Sequence, residues 1–155
     1  EIRKWNKIAY ILKKRGYNIV SLGLLHHLHY ADIDLTGKTD VREAAAILSY
    51  CSLFIGNNSL LFHIAQSLNI PSICTFSLAI PQRFIYGTCP AYPVQADIKC
   101  KNCMTFNMLQ VIKKKGHCLR PWGIFGKCMK MITVDMVMKK VEEALNDKKD
   151  SPNLR

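Results

Sequence analysis

The sequence predicts an α/β fold, a Rossmann-like parallel sheet carrying a cysteine-rich metal-finger insert, and three observations carry that prediction. Segments with helical spacing alternate with short apolar strands from the start of the chain to Phe76. The strands "LFI" at 53–55 and "SICTF" at 72–76 are short apolar runs, the pattern of strands covered on both faces. Beyond Phe76 this order gives way to prolines and to Cys89, Cys100, Cys103, Cys118 and Cys128. Strands alternating with helices imply parallel pairing through right-handed crossovers. A chain of 155 residues that is 49% hydrophobic can bury one core.

The opening stretch "EIRKWNKIAYILKKRG" places Trp5, Ile8, Ala9 and Leu12 on one helical face, with Ile11 at its margin and Gly16 as a left-handed stop. It reads as a helix already under way, so the chain is expected to be a fragment. "YNIVSLG" follows as a strand ending at Gly23, and 24–35 read as loop plus a short strand. Asp40 with Glu43 three residues on predicts a capping box. The helix it opens is expected to bury Val41, Ala44, Ala45, Ile47 and Leu48. After the strand at 53–55 a helix spans about Leu60 to Leu68, and Pro71 precedes the strand at 72–76. Thr133 is a second N-cap, opening a helix with Val134, Val137, Met138 and Val141 on one face. The expected organisation is a domain over 1–145, with the insert at 89–130 and a disordered tail over 146–155.

The formal charge is +11, from 22 Lys and Arg against 11 Asp and Glu. It favours an anionic partner such as a nucleotide, a phosphorylated glycolipid or a membrane face. The basic residues are scattered in short runs and no aromatic-plus-basic recognition motif accompanies them, so no nucleic acid is expected. No apolar run is long enough to span a bilayer. The odd count of seven cysteines argues against a secreted disulfide scaffold, and the expected setting is a reducing cytoplasm.

Two places carry chemistry. The first is "GNNSLLFH", residues 56–63, between a strand and a helix. In an open parallel sheet ligands sit beyond the carboxyl ends of the strands. There the first-turn amides of a helix lack intrahelical acceptors and the helix dipole adds positive charge, so a phosphate fits. Asn58 or Ser59 can cap the helix, His63 can donate a hydrogen bond at the same mouth, and Gly56 lets backbone approach. Asn and Ser are also ordinary caps, and a lone His is often a surface residue. The second place is "CKNCMTFNMLQVIKKKGHCLRPWGIFGKC", with a C-x2-C pair, a third cysteine after fourteen residues and a fourth after nine. Cys100, Cys103, Cys118 and Cys128 are expected to bind one structural zinc or iron ion, with His117 as a stand-in ligand. A loop-rich insert has too little core to fold unaided, and ligation supplies the missing stability. Buried thiols or a disulfide are the competing readings of the same residues.

Residues 34–87, "DLTGKTDVREAAAILSYCSLFIGNNSLLFHIAQSLNIPSICTFSLAIPQRFIYG", resemble the donor-binding half of glycosyltransferase family 9, the ADP-heptose:lipopolysaccharide heptosyltransferases. Gly37-Lys38-Thr39, Glu43-Ala44-Ala45, Gly56-Asn57, Ser59, His63, Ala65 and Pro71 stand in the matching places, and the likeness extends over roughly 1–145. It implies the C-terminal half of a GT-B fold and an inverting transfer of a sugar, ADP-heptose foremost, to a lipopolysaccharide, a related glycolipid or a protein. Asn57, Asn58, Ser59, Leu60 and His63 carry over as donor-binding residues, with Thr36, Gly37 and Lys38 near the nucleotide and Arg83 near the leaving phosphates. The catalytic base and acceptor site belong to an N-terminal domain, so this chain alone is expected to hold no catalytic residue and to be inactive. Some relatives carry an iron-binding four-cysteine finger in this part of the chain. Peripheral contact with the inner face of the cytoplasmic membrane and an oligomeric state are further expectations. Two positions depart from the family pattern: its Asp is Asn58 here, and its Gly-Pro is Leu60-Leu61. A non-catalytic nucleotide-binding or assembly module with a structural metal site is the alternative reading.

Overall fold

The computed structural model describes residues 2–77, 79–87, 89–98, 101–102 and 127–150. Helix α1 (Ile2–Lys14) buries Ile8, Ala9 and Leu12. It closes in a Schellman motif: the Gly16 amide donates to Lys13 O (3.0 Å), the Tyr17 amide to Leu12 O (3.2 Å), and Gly16 takes φ +87°. Strands β1 (Val20–Ser21) and β2 (Ile33–Asp34) pair in parallel. Helix α2 (Val41–Ser49) has the capping box expected of Asp40 and Glu43, with both reciprocal bonds made at 2.8 and 2.9 Å. Its buried face is narrower than the sequence suggests. Ala44 and Leu48 are buried, whereas Val41 is 55% exposed, because α2 meets the rest of the molecule mainly along α3.

Strands β3 (Phe54–Asn57), β4 (Ser72–Phe76) and β5 (Ala91–Gln95) form a second parallel sheet in that order, with α3 (Leu60–Ser67) crossing from β3 to β4. Every residue of β4 is buried. A 3₁₀ turn (Pro81–Arg83) follows it, and α4 (Lys127–Met131) and α5 (Val134–Asp150) close the described chain. The Thr133 hydroxyl accepts the Met136 amide at 3.2 Å, as an N-cap should.

The sheet divides the core. On one face Ile8 and Leu12 of α1 and Val137, Val141 and Ala144 of α5 pack on Ile73 and Val94. On the other, Leu48 of α2 and Phe62 and Ala65 of α3 pack on Phe54, Cys74 and Phe76. Two boundaries differ from expectation. Strand β5 falls within the 89–130 stretch assigned to the insert, yet it pairs with β4 from Ser72↔Ala91 to Phe76↔Gln95. Pro93 disguises it. Proline cannot donate to a ladder, but β5 borders only β4, so the missing donor costs it no pairing among the described residues. The segment 146–150, expected to be a disordered tail, continues α5, where Asp147 accepts the Tyr92 hydroxyl at 2.7 Å and ties the last turns to β5.

Candidate functional site

The candidate site is the carboxyl-end edge of the strands. Strand β3 runs through Gly56 and Asn57, so Asn57 is a strand residue rather than a loop one. Its Oδ1 accepts the hydroxyl of buried Thr75 on β4 (2.6 Å), and the Asn58 amide donates to Thr75 O (3.2 Å). These bonds set the direction in which the chain leaves β3 and enters α3. Ser59 occupies the N-cap with extended φ −149° and ψ −179°, but its side chain makes no capping bond. Its carbonyl accepts the amides of Phe62 and His63 at 3.1 and 3.4 Å. The amides of Ser59, Leu60 and Leu61 therefore have no acceptor among the described residues. They point out of the start of a helix whose dipole favours an anion. Leu60 stands at the mouth, 57% exposed.

His63, one turn in, is half-buried and ringed by Phe62, Phe84 and Tyr86, with ring centroids at 5.3, 6.2 and 6.2 Å. Its Nδ1 is buried and has no hydrogen-bond partner in the described structure. A buried polar atom left so is costly unless something meets it.

Sequence reading overlooked the residue that builds this ring, Gln66. Its carboxamide is 3% exposed, Nε2 donating to Phe84 O and Oε1 accepting from the Tyr86 amide, both at 2.8 Å. It clamps the loop after β4 against α3 and so positions Phe84 and Tyr86 beside His63. A signal existed: Gln66 lies four residues after Phe62, on the helix's buried stripe, where a polar residue needs a partner. Gln95, at the end of β5, does the same for the loop start, donating to Ser77 O and Ala79 O at 3.3 and 3.1 Å.

Gly56 has a different reason from the backbone approach expected of it. A Cβ there would stand 2.6 Å from Phe54 Cζ, so the glycine makes room for the Phe54 ring. Arg83 lies exposed on the 3₁₀ turn.

Thr36, Gly37 and Lys38 follow β2 and form their own network. The Thr36 hydroxyl is 3.0 Å from Ser21 Oγ, the Gly37 amide donates to Gly23 O (2.7 Å) at φ +71°, and Lys38 Nζ donates to Asp34 O (2.9 Å). Hydrogen bonds from Thr36, then from His27, hold the Asp34 carboxyl well below the usual carboxylate range. No hydrogen bond or ion pair among the described residues joins this network to the start of α3.

Of the four cysteines, Cys100, Cys103 and Cys118 lie outside the described residues, as does His117. Cys128 sits half-buried on α4, whose closing carbonyls at Met129 and Lys130, with Ile132 O, accept Lys4 Nζ of α1. Among the described residues no group of three or more His, Cys, Asp or Glu is placed to hold a metal ion. None of the described helices is long and apolar enough to cross a membrane.

The chain matches the family model of glycosyltransferase family 9 (heptosyltransferase) over residues 1–109. It is 32% identical over 101 residues to lipooligosaccharide heptosyltransferase 2 of Haemophilus ducreyi, a match covering 56% of this chain and 27% of that protein. The chain thus spans about a quarter of that relative's length. Among solved structures it resembles the iron-containing dodecameric glycosyltransferase TibC of enterotoxigenic E. coli, with TM-score 0.73 and 21% identity over 92% of this chain and 40% of that one. The structure of TibC in complex with ADP-D-beta-D-heptose gives TM-score 0.71 and 20% identity, over 95% and 41% of the two chains. At these identities the structural likeness concerns the fold.

Proposed function

The chain belongs to glycosyltransferase family 9, the heptosyltransferases, and we propose that it is the donor-binding domain of an inverting sugar transferase, taking ADP-heptose and serving a lipopolysaccharide or related surface-glycan acceptor. The observation that carries the reading is the start of α3: three amides with no acceptor among the described residues, a Ser59 hydroxyl that makes no capping bond and, one turn in, the buried Nδ1 of His63, which has no partner among them. This is a set of donors for a diphosphate. Asn58 and Ser59 hold the phosphates, the amides of Leu60 and Leu61 meet the leaving oxygen, and His63 donates from the floor. Asn57, held by Thr75, supports the turn, and Arg83 adds charge from the far wall. Thr36, Gly37 and Lys38 border the nucleotide on the β2 side.

In such a transfer a carboxylate of the acceptor-binding domain deprotonates the acceptor hydroxyl. Its oxygen attacks the anomeric carbon, and the bond to the nucleoside diphosphate breaks with its electrons on the leaving phosphate. The residues described here act at that last point, where fixed amides and a helix dipole stabilise the charge that develops. Leu24 and Leu25, each 80% exposed after β1, and Leu60, 57% exposed at the start of α3, offer apolar surface to a second domain that closes over the donor. The +11 charge suits peripheral contact with an anionic inner membrane face, and the dodecameric relative makes an oligomer the natural assembly.

The four cysteines Cys100, Cys103, Cys118 and Cys128 hold one structural metal ion. The C-x2-C spacing and the iron-containing relative support this, as does the seat of Cys128 on a helix clamped by Lys4. Elemental analysis of purified protein is expected to give about one equivalent of iron or zinc, reduced by Cys128→Ser; a metal-free, stably folded protein with all four thiols titratable overturns it. For the donor site, ligand-observed NMR with ADP, UDP, GDP and a short oligonucleotide is the test. Saturable ADP contact that His63→Ala weakens supports the reading. Oligonucleotide binding alone, with a steep salt slope, replaces it. Tight ADP binding with no transfer after the partner domain is supplied favours the non-catalytic module.

A further inference from the structure

Helix α1 buries one face in the core and turns a face of a single charge sign to solvent. It contains no acidic residue. Arg3, Lys7, Tyr10 and Lys14 are all exposed, at the i, i+4, i+7 and i+11 positions of one row. By helical geometry they fall within about 60° of one another, opposite buried Ile8, Ala9 and Leu12, and the row runs ~16 Å along the helix. Among the described residues no ion pair engages Arg3, Lys7 or Lys14. Two carboxylates beside α1 are already taken: Asp32 accepts Lys13 Nζ at 2.6 Å, and Glu142 of α5 accepts Arg15, just past the helix end. Three cations are left uncompensated on one ridge.

Two tyrosines widen it. Lys14 Nζ stands 5.7 Å from the Tyr10 ring centroid, and the Tyr10 and Tyr30 centroids are 5.1 Å apart. Both rings keep a large open surface, at 43% and 41% exposure. The loop that carries Tyr30 is fixed to α1. The His29 amide donates to Asn6 Oδ1 (2.8 Å), and Asp32 accepts the Ile19 amide (2.9 Å) as well as Lys13. The ring pair is thus ordered before any partner arrives, so contact costs little freedom.

The chemistry of this ridge selects its partner. Compact ligands take concave sites, and protein interfaces centre on anchors seated in pockets. A convex row of separate cations and phenol rings offers neither. A plane of anionic headgroups requires neither: Lys and Arg heads meet spread-out phosphates while their methylene stems lie along the surface. Tyrosine rings settle at headgroup level with the hydroxyl in water.

We infer that the outer face of α1, formed by Arg3, Lys7, Tyr10 and Lys14 with Tyr30 beside them, is the surface by which the protein lies on an anionic phospholipid bilayer. The inference rests on the peripheral membrane contact proposed above and assigns it a place. The apolar side of α1 stays packed against α5, Ile73 and Val94, so the contact is electrostatic and reversible, without insertion of the helix.

Flotation of the 155-residue chain with lipid vesicles tests this. Vesicles of phosphatidylcholine containing about one-third phosphatidylglycerol carry the protein, less so as salt rises, and pure phosphatidylcholine vesicles do not. Arg3→Gln, Lys7→Gln and Lys14→Gln together lower the partition coefficient by at least about tenfold. Arg42→Gln, Lys130→Gln and Lys139→Gln together remove the same charge from exposed positions of α2, α4 and α5 and change it by less than about threefold. An equal Tm for the two triple variants shows that the difference does not come from unfolding. If the unaltered chain ignores anionic vesicles, peripheral contact fails and the inference with it. If it binds and the two triple variants lose binding equally, or neither loses it, membrane contact stands and its assignment to α1 is overturned. Tighter binding to a short DNA duplex than to the vesicles, at equal phosphate, overturns the choice of a bilayer.

Discussion

Replacing Ser59 by Asp should make the protein more stable and worse at binding ADP, and the two effects have separate magnitudes. Ser59 already has the extended backbone of an N-cap, yet its hydroxyl makes no capping bond. A carboxylate at that position reaches the amide of Leu61 or Phe62 and complements the helix dipole, together about 1 kcal/mol. In a domain of this size that raises Tm by roughly 2–4 °C. The same carboxylate fills the anion position and opposes a diphosphate. Losing two charge-assisted bonds at about 1.5–3 kcal/mol each costs at least ~3 kcal/mol, which is on the order of 100-fold in ADP affinity. Ser59→Ala separates the terms, because it removes no existing cap and should leave Tm almost unchanged. Thermal unfolding by circular dichroism reads the first effect and an ADP titration by NMR the second. A lower Tm for Ser59→Asp, or unchanged ADP affinity, refutes the reasoning.

Gly56→Ala should push the Phe54 ring out of place and cost about 1–3 kcal/mol by urea unfolding, the range for overpacking a core. Adding Phe54→Leu should recover much of that loss, and additivity of the two changes would show that the 2.6 Å approach is not what requires glycine. Burial, and next the hydrogen bond to Asp147, push the Tyr92 phenol up to about 12 from its ordinary 10. Folding thus favours the protonated ring. Its contribution is intact below pH 10 and lost as pH rises through about 12, so Tyr92→Phe should flatten the stability profile across that window. Gln66→Leu should leave α3 folded but release Phe84 and Tyr86, seen as loss of the ring-current shifts on His63 and weaker ADP binding together; unchanged His63 resonances would deny Gln66 its positioning role.

Much of the frame was legible because its signals are local. The Asp40–Glu43 box, the Gly16 stop and the Thr133 cap each rest on residues a few positions apart, and helix periodicity around Ile8, Phe62 and Val137 is written in one segment at a time. The position of the 56–63 turn, between a strand and a helix, was legible for a similar reason: a polar turn there can hardly lie elsewhere than a strand end. What the sequence could not display were relations between distant residues. Strand β5 hides behind Pro93 because its acceptability depends on which edge faces β4. Gln66 becomes a clamp only when Phe84 and Tyr86 come round to meet it, and Gly56 is required by a ring two residues away whose pose the packed core selects. Local hydrogen-bond chemistry and periodicity are properties of the chain in order; register, burial and partner choice arise only when segments far apart in sequence exclude water from one another.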